Sequence, residues 1–336
     1  MKPETKSPRS IVLARRQLLR TGAAWSMLGT LAPLAEANTS FPSQPVRIIL
    51  PLPPGGAADK VARAIADRLS DMWKQPVLVE SRPGGGMVVG TLATARSKPD
   101  GHTIGVVGGS MSINHVQRSD LPYDALKELQ PVARLGYYTI AVLASHKVPA
   151  NDMPGLIQWV KAQSAPISCG SNGIGTSTEL GIELLNQMAG INLRHVPYPG
   201  GPKLYTDMLG GHIDLAISIM GAADGFLQTG QLKVLGVTGP TRVPYLPQAA
   251  PIAETLPGYE VLNWTGFAVP AGVPQDVVTK ISRDILSVAE RPEVRKIFLE
   301  MGIVPAPLGV TAMSDFVQAD IRKVAAVTSR KASLLK

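Results

Sequence analysis

Val46-Arg47-Ile48-Ile49-Leu50-Pro51-Leu52-Pro53-Pro54-Gly55-Gly56-Ala57-Ala58-Asp59 is the stretch on which the fold turns. Its first five residues read as a strand, and residues 51–58 as a Pro/Gly loop. A helix over 59–73 follows, because Val61, Ile65, Leu69 and Met72 recur at helical spacing while Arg63, Asp67 and Arg68 take other faces. A strand that ends in such a loop and enters a helix aims orphan N–H groups at one place. Those donors and the helix dipole favour an anion there. No basic side chain directly follows the glycines, so the lysine of a phosphate cradle is missing and a small carboxylate suits the loop better than a nucleotide. The same residues would also make a ligand-free tight turn.

Strands and helices alternate outward from this unit, which predicts an α/β protein with mostly parallel sheets flanked by helices. A strand at 77–79, a turn at 82–86, a helix at 88–95 and a strand at 103–107 follow, the last ending in Gly108-Gly109-Ser110. The rhythm breaks at Leu121-Pro122-Tyr123-Asp124, and the apolar segments 132–135 and 140–143 read as a connection between lobes. Beyond Pro149 the pattern restarts with helices at 154–163, 178–189 and 202–209 and strands at 167–169, 194–196, 213–217 and 232–237. A proline-rich stretch leads to a returning strand at 267–270, and helices at 275–289, 292–301 and 311–330 close the chain. The expected division is one lobe of 42–143 plus 262–336 and a second of 144–261.

The second lobe carries its own Gly-rich loop. The strand Ile167-Ser168-Cys169 runs into Gly170-Ser171-Asn172-Gly173-Ile174-Gly175-Thr176-Ser177-Thr178 and then a helix. Glycines let backbone approach a ligand, and Ser and Thr supply hydroxyls and helix caps. Two strand–loop–helix units, one per lobe, could clamp one small anion, since ligands of open α/β sheets bind at the C-terminal strand ends.

The N-terminus reads as an export leader. Arg15-Arg16-Gln17-Leu18-Leu19-Arg20 precedes a mildly apolar stretch, and Ala35-Glu36-Ala37 fits a cleavage site. The arginine pair points to the twin-arginine route, with general secretion as the alternative. The stretch is too short and too weakly apolar to span a membrane, so a soluble periplasmic protein is expected. The chain of 336 residues has net charge +8, but residues 1–37 hold six basic and two acidic side chains, leaving +4 spread without runs. That is too thin for a nucleic-acid footprint. One cysteine, Cys169, excludes a disulfide framework and a thiolate metal site.

Signatures of catalysis are missing too. Cys169-Gly170-Ser171-Asn172-Gly173 has Cys where a nucleophile elbow has its first Gly, and residues 84–90 fail the dinucleotide fingerprint at Val89. None of His102, His115, His146, His195 and His212 lies in a metal spacing. A Ser/His/acid set assembled only in space stays open.

An ordered set of motifs gives the chain a family resemblance. These are Phe41-Pro42-Ser43-Gln44-Pro45-Val46-Arg47, Pro53-Pro54-Gly55-Gly56 with Asp59, Val79-Glu80-Ser81-Arg82-Pro83-Gly84 and Lys98-Pro99-Asp100-Gly101-His102-Thr103. Leu121-Pro122-Tyr123-Asp124, His195-Val196-Pro197-Tyr198, Leu209-Gly210-Gly211-His212-Ile213-Asp214-Leu215 and Pro270-Ala271-Gly272-Val273-Pro274 follow. With them the chain resembles the Bug-type receptors, periplasmic solute-binding proteins of tripartite tricarboxylate transporters. The resemblance implies a two-lobed Venus flytrap of the type II binding-protein class, with two crossing strands. It further implies no catalysis and no cofactor, a small carboxylated ligand (organic acid or amino acid) between the lobes, permease subunits as membrane partners, and a monomer. The ligand-binding candidates are Pro54, Gly55, Gly56, Ala57, Ala58 and Asp59 of the first loop and Ser110 after the third strand. Ser171, Asn172, Gly175, Thr176 and Ser177 of the second loop, Tyr198 and Ser218 complete the set.

Three positions depart from the family pattern. Ser81 stands where Asn is usual, Glu179 where a His is usual, and Ser218-Ile219 where an Asp-Asn pair is common. Glu179 either caps its own helix and faces away or selects an amide- or ammonium-bearing ligand. Two further readings stay open on the same sequence: an exported hydrolase or lyase, and a receptor reporting to a membrane sensor.

Overall fold

The structure, a computed structural model, describes residues 41–220, 223–243 and 246–334, apart from the side chains of 224 and 330–334. The export leader expected over 1–37 lies outside the described residues. From Phe41 onward the chain forms one compact unit.

The first half of the fold begins with β1 (Val46–Leu50), α1 (Ala57–Trp73), β2 (Val77–Ser81), α2 (Val88–Ala95), β3 (Thr103–Gly108), α3 (Gly109–Gln117) and β4 (Leu129–Tyr138). Thr139 then passes the chain into β5 (Ile140–Ser145), α4 (Met153–Lys161), β6 (Ile167–Ser171), α5 (Ser177–Ala189) and β7 (Leu193–Pro197). The second half continues through α6 (Gly201–Leu209), β8 (Leu215–Ile219), α7 (Asp224–Gln228) and β9 (Leu232–Val237). The chain returns by β10 (Asn263–Pro270) and ends with α8 (Gln275–Ala289), α9 (Pro292–Glu300), β11 (Ile303–Leu308) and α10 (Val310–Leu334). One sheet has the order β11-β4-β10-β3-β1-β2 and the other β7-β6-β8-β5-β9.

Local chemistry explains the elements near the gap. Val61, Ile65 and Leu69 of α1 are fully buried against Ile48 and Leu50, giving the helix its apolar stripe. The helix stops at Lys74, whose backbone takes the left-handed conformation. On the other side of the sheet, Val88 joins Val107, Met111 and Trp264. Cys169 is fully buried in the second half, and burial pushes its thiol up to about 12, so it stays protonated and inert.

Four features differ from the sequence reading. The sheets are mixed rather than mostly parallel: β1, β2 and β3 pair in parallel, but β10 is antiparallel to both β3 and β4. The crossing forces this, because β3 runs toward the junction while β10 comes back from it. The segments 132–135 and 140–143 are not a bare connection but parts of β4 and β5, full strands of the two sheets. The chain changes sheet at Thr139, so β5 falls wholly in the second sheet although it straddles the expected boundary at 143/144. Helix α3 and strand β11 were not anticipated. α10 bridges both halves: Met313 and Val317 pack with Trp264, whereas Val324 and Val327 pack with Leu180 and Leu184 of α5.

Candidate functional site

The topology places the Gly-rich loops after β1 and β6 at one junction. β4 runs in the same sense as β3, because both are antiparallel to β10, and β4 leads straight into the second sheet. The C-terminal ends of β1, β2 and β3 therefore face that sheet. In the second sheet β8 is antiparallel to the incoming β5 and parallel to β6, which is parallel to β7. The loops after β6, β7 and β8 thus point back at the first. This is the strand-end position at which open α/β sheets bind ligands.

Loop one is held from beneath. The Ser81 hydroxyl donates to Leu52 O at 2.6 Å, so the residue that replaces the family's Asn braces this loop. A Cβ at Gly90 would lie 2.7 Å from the Cα of Pro51, so only glycine lets α2 sit this close to the loop. The Gly55 N–H donates to Asp59 Oδ2 at 2.9 Å, and Arg63 Nε pairs with the other oxygen at 2.9 Å. Burial works against the Asp59 charge. The Arg63 guanidinium and the Gly55 N–H outweigh it and hold the carboxyl below its ordinary value. Asp59 therefore tethers the loop. Pro54, Gly55 and Gly56 are exposed, Ala57 and Ala58 half-buried, and no side chain caps the start of α1 at Gly56. Helix α3 also starts without a capping side chain, at Gly108, with Ser110 buried in its first turn.

Loop two repeats the tether. The Gly175 N–H donates to Glu179 Oε2 at 2.7 Å, as Gly55 does to Asp59 four residues on. Glu179 Oε1 meets His195 Nδ1 at 3.2 Å, and His195 Nε2 lies 2.6 Å from Ser171 Oγ. Glu179 turns back onto its own loop and does not face away. The Ser171 hydroxyl is fully buried and also accepts the Gly173 N–H at 3.0 Å. Asn172 Oδ1 accepts from Ser218 Oγ and from Ile219 N, both at 3.1 Å. Thr176 Oγ1 donates to Gly173 O at 2.6 Å and caps α5 by accepting from Glu179 N. Tyr198 donates its hydroxyl to Asp207 at 2.9 Å. Burial and the Asp207 charge push that phenol up to about 12.

The structure thus gathers Ser171, Asn172, Thr176 and Ser218 into one network of hydrogen bonds that shapes loop two. Tyr198 joins it only through its backbone N–H on Ser171 O and sends its hydroxyl to Asp207. The candidates of loop one are gathered separately, and among the described residues the hydrogen bonds of 54–59 stay within the first half. The two halves meet through α3. A Cβ at Gly109 would lie 2.7 Å from Ser177 Oγ, and one at Gly175 3.3 Å from Asn114 Oδ1, while Asn114 Nδ2 donates to Gly86 O at 2.8 Å. Sequence reasoning missed His195 as a loop brace and Asn114 as the link. The readable signal for His195 was Glu179 itself, a carboxylate without an evident ligand role.

Two mixed sheets joined by crossing strands, with uncapped helix starts turned toward the junction, form a two-lobed α/β fold of the binding-protein class. The family described as "Tripartite tricarboxylate transporter family receptor" matches residues 61–332. The chain belongs to this family of receptors. BugT of Bordetella pertussis (strain Tohama I) is 28% identical over 324 residues, covering 96% of this chain and 99% of BugT. The structure of R. palustris Rpa4515 with adipate superposes with a TM-score of 0.77 at 26% identity, over 86% of this chain and 98% of that one. MatC of Rhodopseudomonas palustris with bound malate gives 0.74 at 25% identity, over 85% and 99%. The Bug-type resemblance therefore holds over the fold and the family alike.

Proposed function

We propose that this receptor captures a small dicarboxylate between loop one and loop two and presents it, as a monomer, to the permease subunits of a tripartite tricarboxylate transporter. The two halves act as the closing lobes, with the boundary moved from 143/144 to Thr139, and Thr139 and the segment before Asn263 act as the hinge. The observation that carries this reading is the start of α1: exposed backbone at Gly55 and Gly56, no capping side chain, and no lysine among 51–59. Adipate and malate in the two related structures support a dicarboxylate. Export by the twin-arginine route is part of the proposal. Replacing Arg15 and Arg16 by lysines is expected to leave the protein in the cytoplasm, and undiminished export of that variant would assign it to general secretion.

Titration with adipate and with malate is expected to raise the melting temperature saturably, with the acid recovered unchanged. Absence of any shift with a panel of dicarboxylates would sink the ligand class. One arrangement favours a hydrolase, namely Ser171, His195 and Glu179 in triad order. Against it, Ser171 is fully buried, and the N–H of Asn172, the residue after it, already donates to Thr178 Oγ1 at 2.9 Å. The expected result is no labelling of Ser171 by a fluorophosphonate and no product in prolonged incubations with esters or acids. A labelled Ser171 would restore the enzyme reading.

A further inference from the structure

A cavity of about 240 Å³ lies where α10 crosses the junction, and it reaches Gly109 at the start of α3 and Ser177 at the end of loop two. Its apolar wall comes from both halves: Ile113 of α3, Leu180 of α5, Leu262 of the returning segment and Phe316 of α10. Three charged side chains also line it: Asp320 and Lys323 of α10, and Glu260. Lys323 Nζ is engaged by Glu260 Oε1 at 2.5 Å. Asp320 is anchored through Oδ2, which accepts the Trp264 indole N–H at 2.7 Å. Two carboxylates against one ammonium leave the wall with an excess negative charge, set among apolar surfaces.

We propose that this hinge cavity is a second ligand site and that it takes a small organic cation, an ammonium on an aromatic or branched apolar body. The size fits: a cavity of about 150 Å³ already holds a benzene ring, so 240 Å³ leaves space for a ring and a short ammonium arm. The charge fits as well. Burial raises the Asp320 carboxyl above its ordinary value, with Glu260 adding to the shift, although the Ser112 and Trp264 hydrogen bonds and Lys323 oppose it. A cation would relieve that penalty. The cavity adjoins loop two at Ser177 but differs from the loops in its charged lining, Asp320 and Glu260 against Lys323, where the loops present N–H donors suited to anions. Because the cavity touches both halves and α10, an occupant would also bias lobe closure, a consequence that rests on the motion proposed above.

The test uses phenethylammonium as probe and phenethyl alcohol as its uncharged counterpart, added to the protein without any dicarboxylate and followed by ligand-observed NMR. The wild type is expected to bind the ammonium, and Asp320→Asn to weaken it about tenfold, with the alcohol bound equally by both. Ala319→Phe, which crowds the cavity from the exposed side of α10, is expected to weaken both probes. This second variant carries the test if Asp320→Asn melts early. Equal ammonium binding by wild type and Asp320→Asn would overturn the cation assignment. Binding unaffected by Ala319→Phe, or no binding at millimolar probe, would overturn the site. Failure here leaves the dicarboxylate reading standing, because that is read from adipate titrations alone.

Discussion

Gly56→Val is expected to fold as the wild type does and to lose the whole dicarboxylate-induced rise in melting temperature. The position is extended, with φ −80° and ψ 178°, a conformation valine readily adopts. A Cβ there meets nothing within 4 Å. The new methyl groups would instead stand over the uncapped N–H groups at the start of α1. In the wild type, ligand at a hundred times its dissociation constant stabilises the folded state by about 2.7 kcal/mol. The variant should show none of that, while its own melting temperature without ligand stays within about a degree of the wild type. Full protection of the variant by adipate would place the ligand elsewhere and end the two-loop clamp.

The largest stability effect is expected at Asp284 on α8. Its carboxylate is buried and accepts from the Trp73 indole at 2.7 Å and from Lys280 at 2.6 Å, with Arg283 Nη2 at 3.0 Å. Trp73 closes α1, so this cluster fastens the helix that bears loop one. Asp284→Ala would leave a buried indole N–H without an acceptor and is expected to cost about 3 kcal/mol, read as a lower urea midpoint at unchanged slope. Asp284→Asn keeps one acceptor and should cost about half as much. Burial opposes the Asp284 charge, but Lys280, Trp73 and Arg283 outweigh it, so the carboxyl lies below its ordinary value. The folded state therefore holds its proton less tightly than the unfolded chain. The contribution is complete above the unfolded value, about 3.9, and is lost as pH falls below it. The alanine variant should accordingly show a smaller drop in stability between pH 5 and pH 3. An identical acid slope in both proteins would show that Asp284 is not the group responsible.

Both predictions rest on parts of the chain that differ in how legible they were. β1, loop one and α1 could be read directly, because apolar periodicity, Pro/Gly turns and the absence of a lysine from 51–59 are local properties of the chain. Helix α3 was hidden because Ser110-Met111-Ser112-Ile113-Asn114 alternates polar and apolar residues and so lacks a helical period, all of 109–114 being buried. Strand β11 was hidden by Pro305 and Pro307. It lies at the sheet edge, where a proline's missing N–H costs little.

The sequence by itself determined the two strand–loop–helix units, the α/β class and the family, since each rests on residue types and spacings along the chain. Tertiary structure alone decided what the polar residues of loop two do. Ser171, Asn172, Thr176 and Ser218 read as ligand donors, and folding gives Ser171 a bond to His195, Thr176 one to the Gly173 carbonyl, and Ser218 one to Asn172. The parallel pairing of β6 with β7 sets His195 opposite Cys169, two residues from Ser171, and the helix start brings Glu179 to the ring's other nitrogen. A hydroxyl or carboxylate can serve a ligand or its own backbone with the same chemistry. Only the distances between elements far apart in the chain settle which partner it meets.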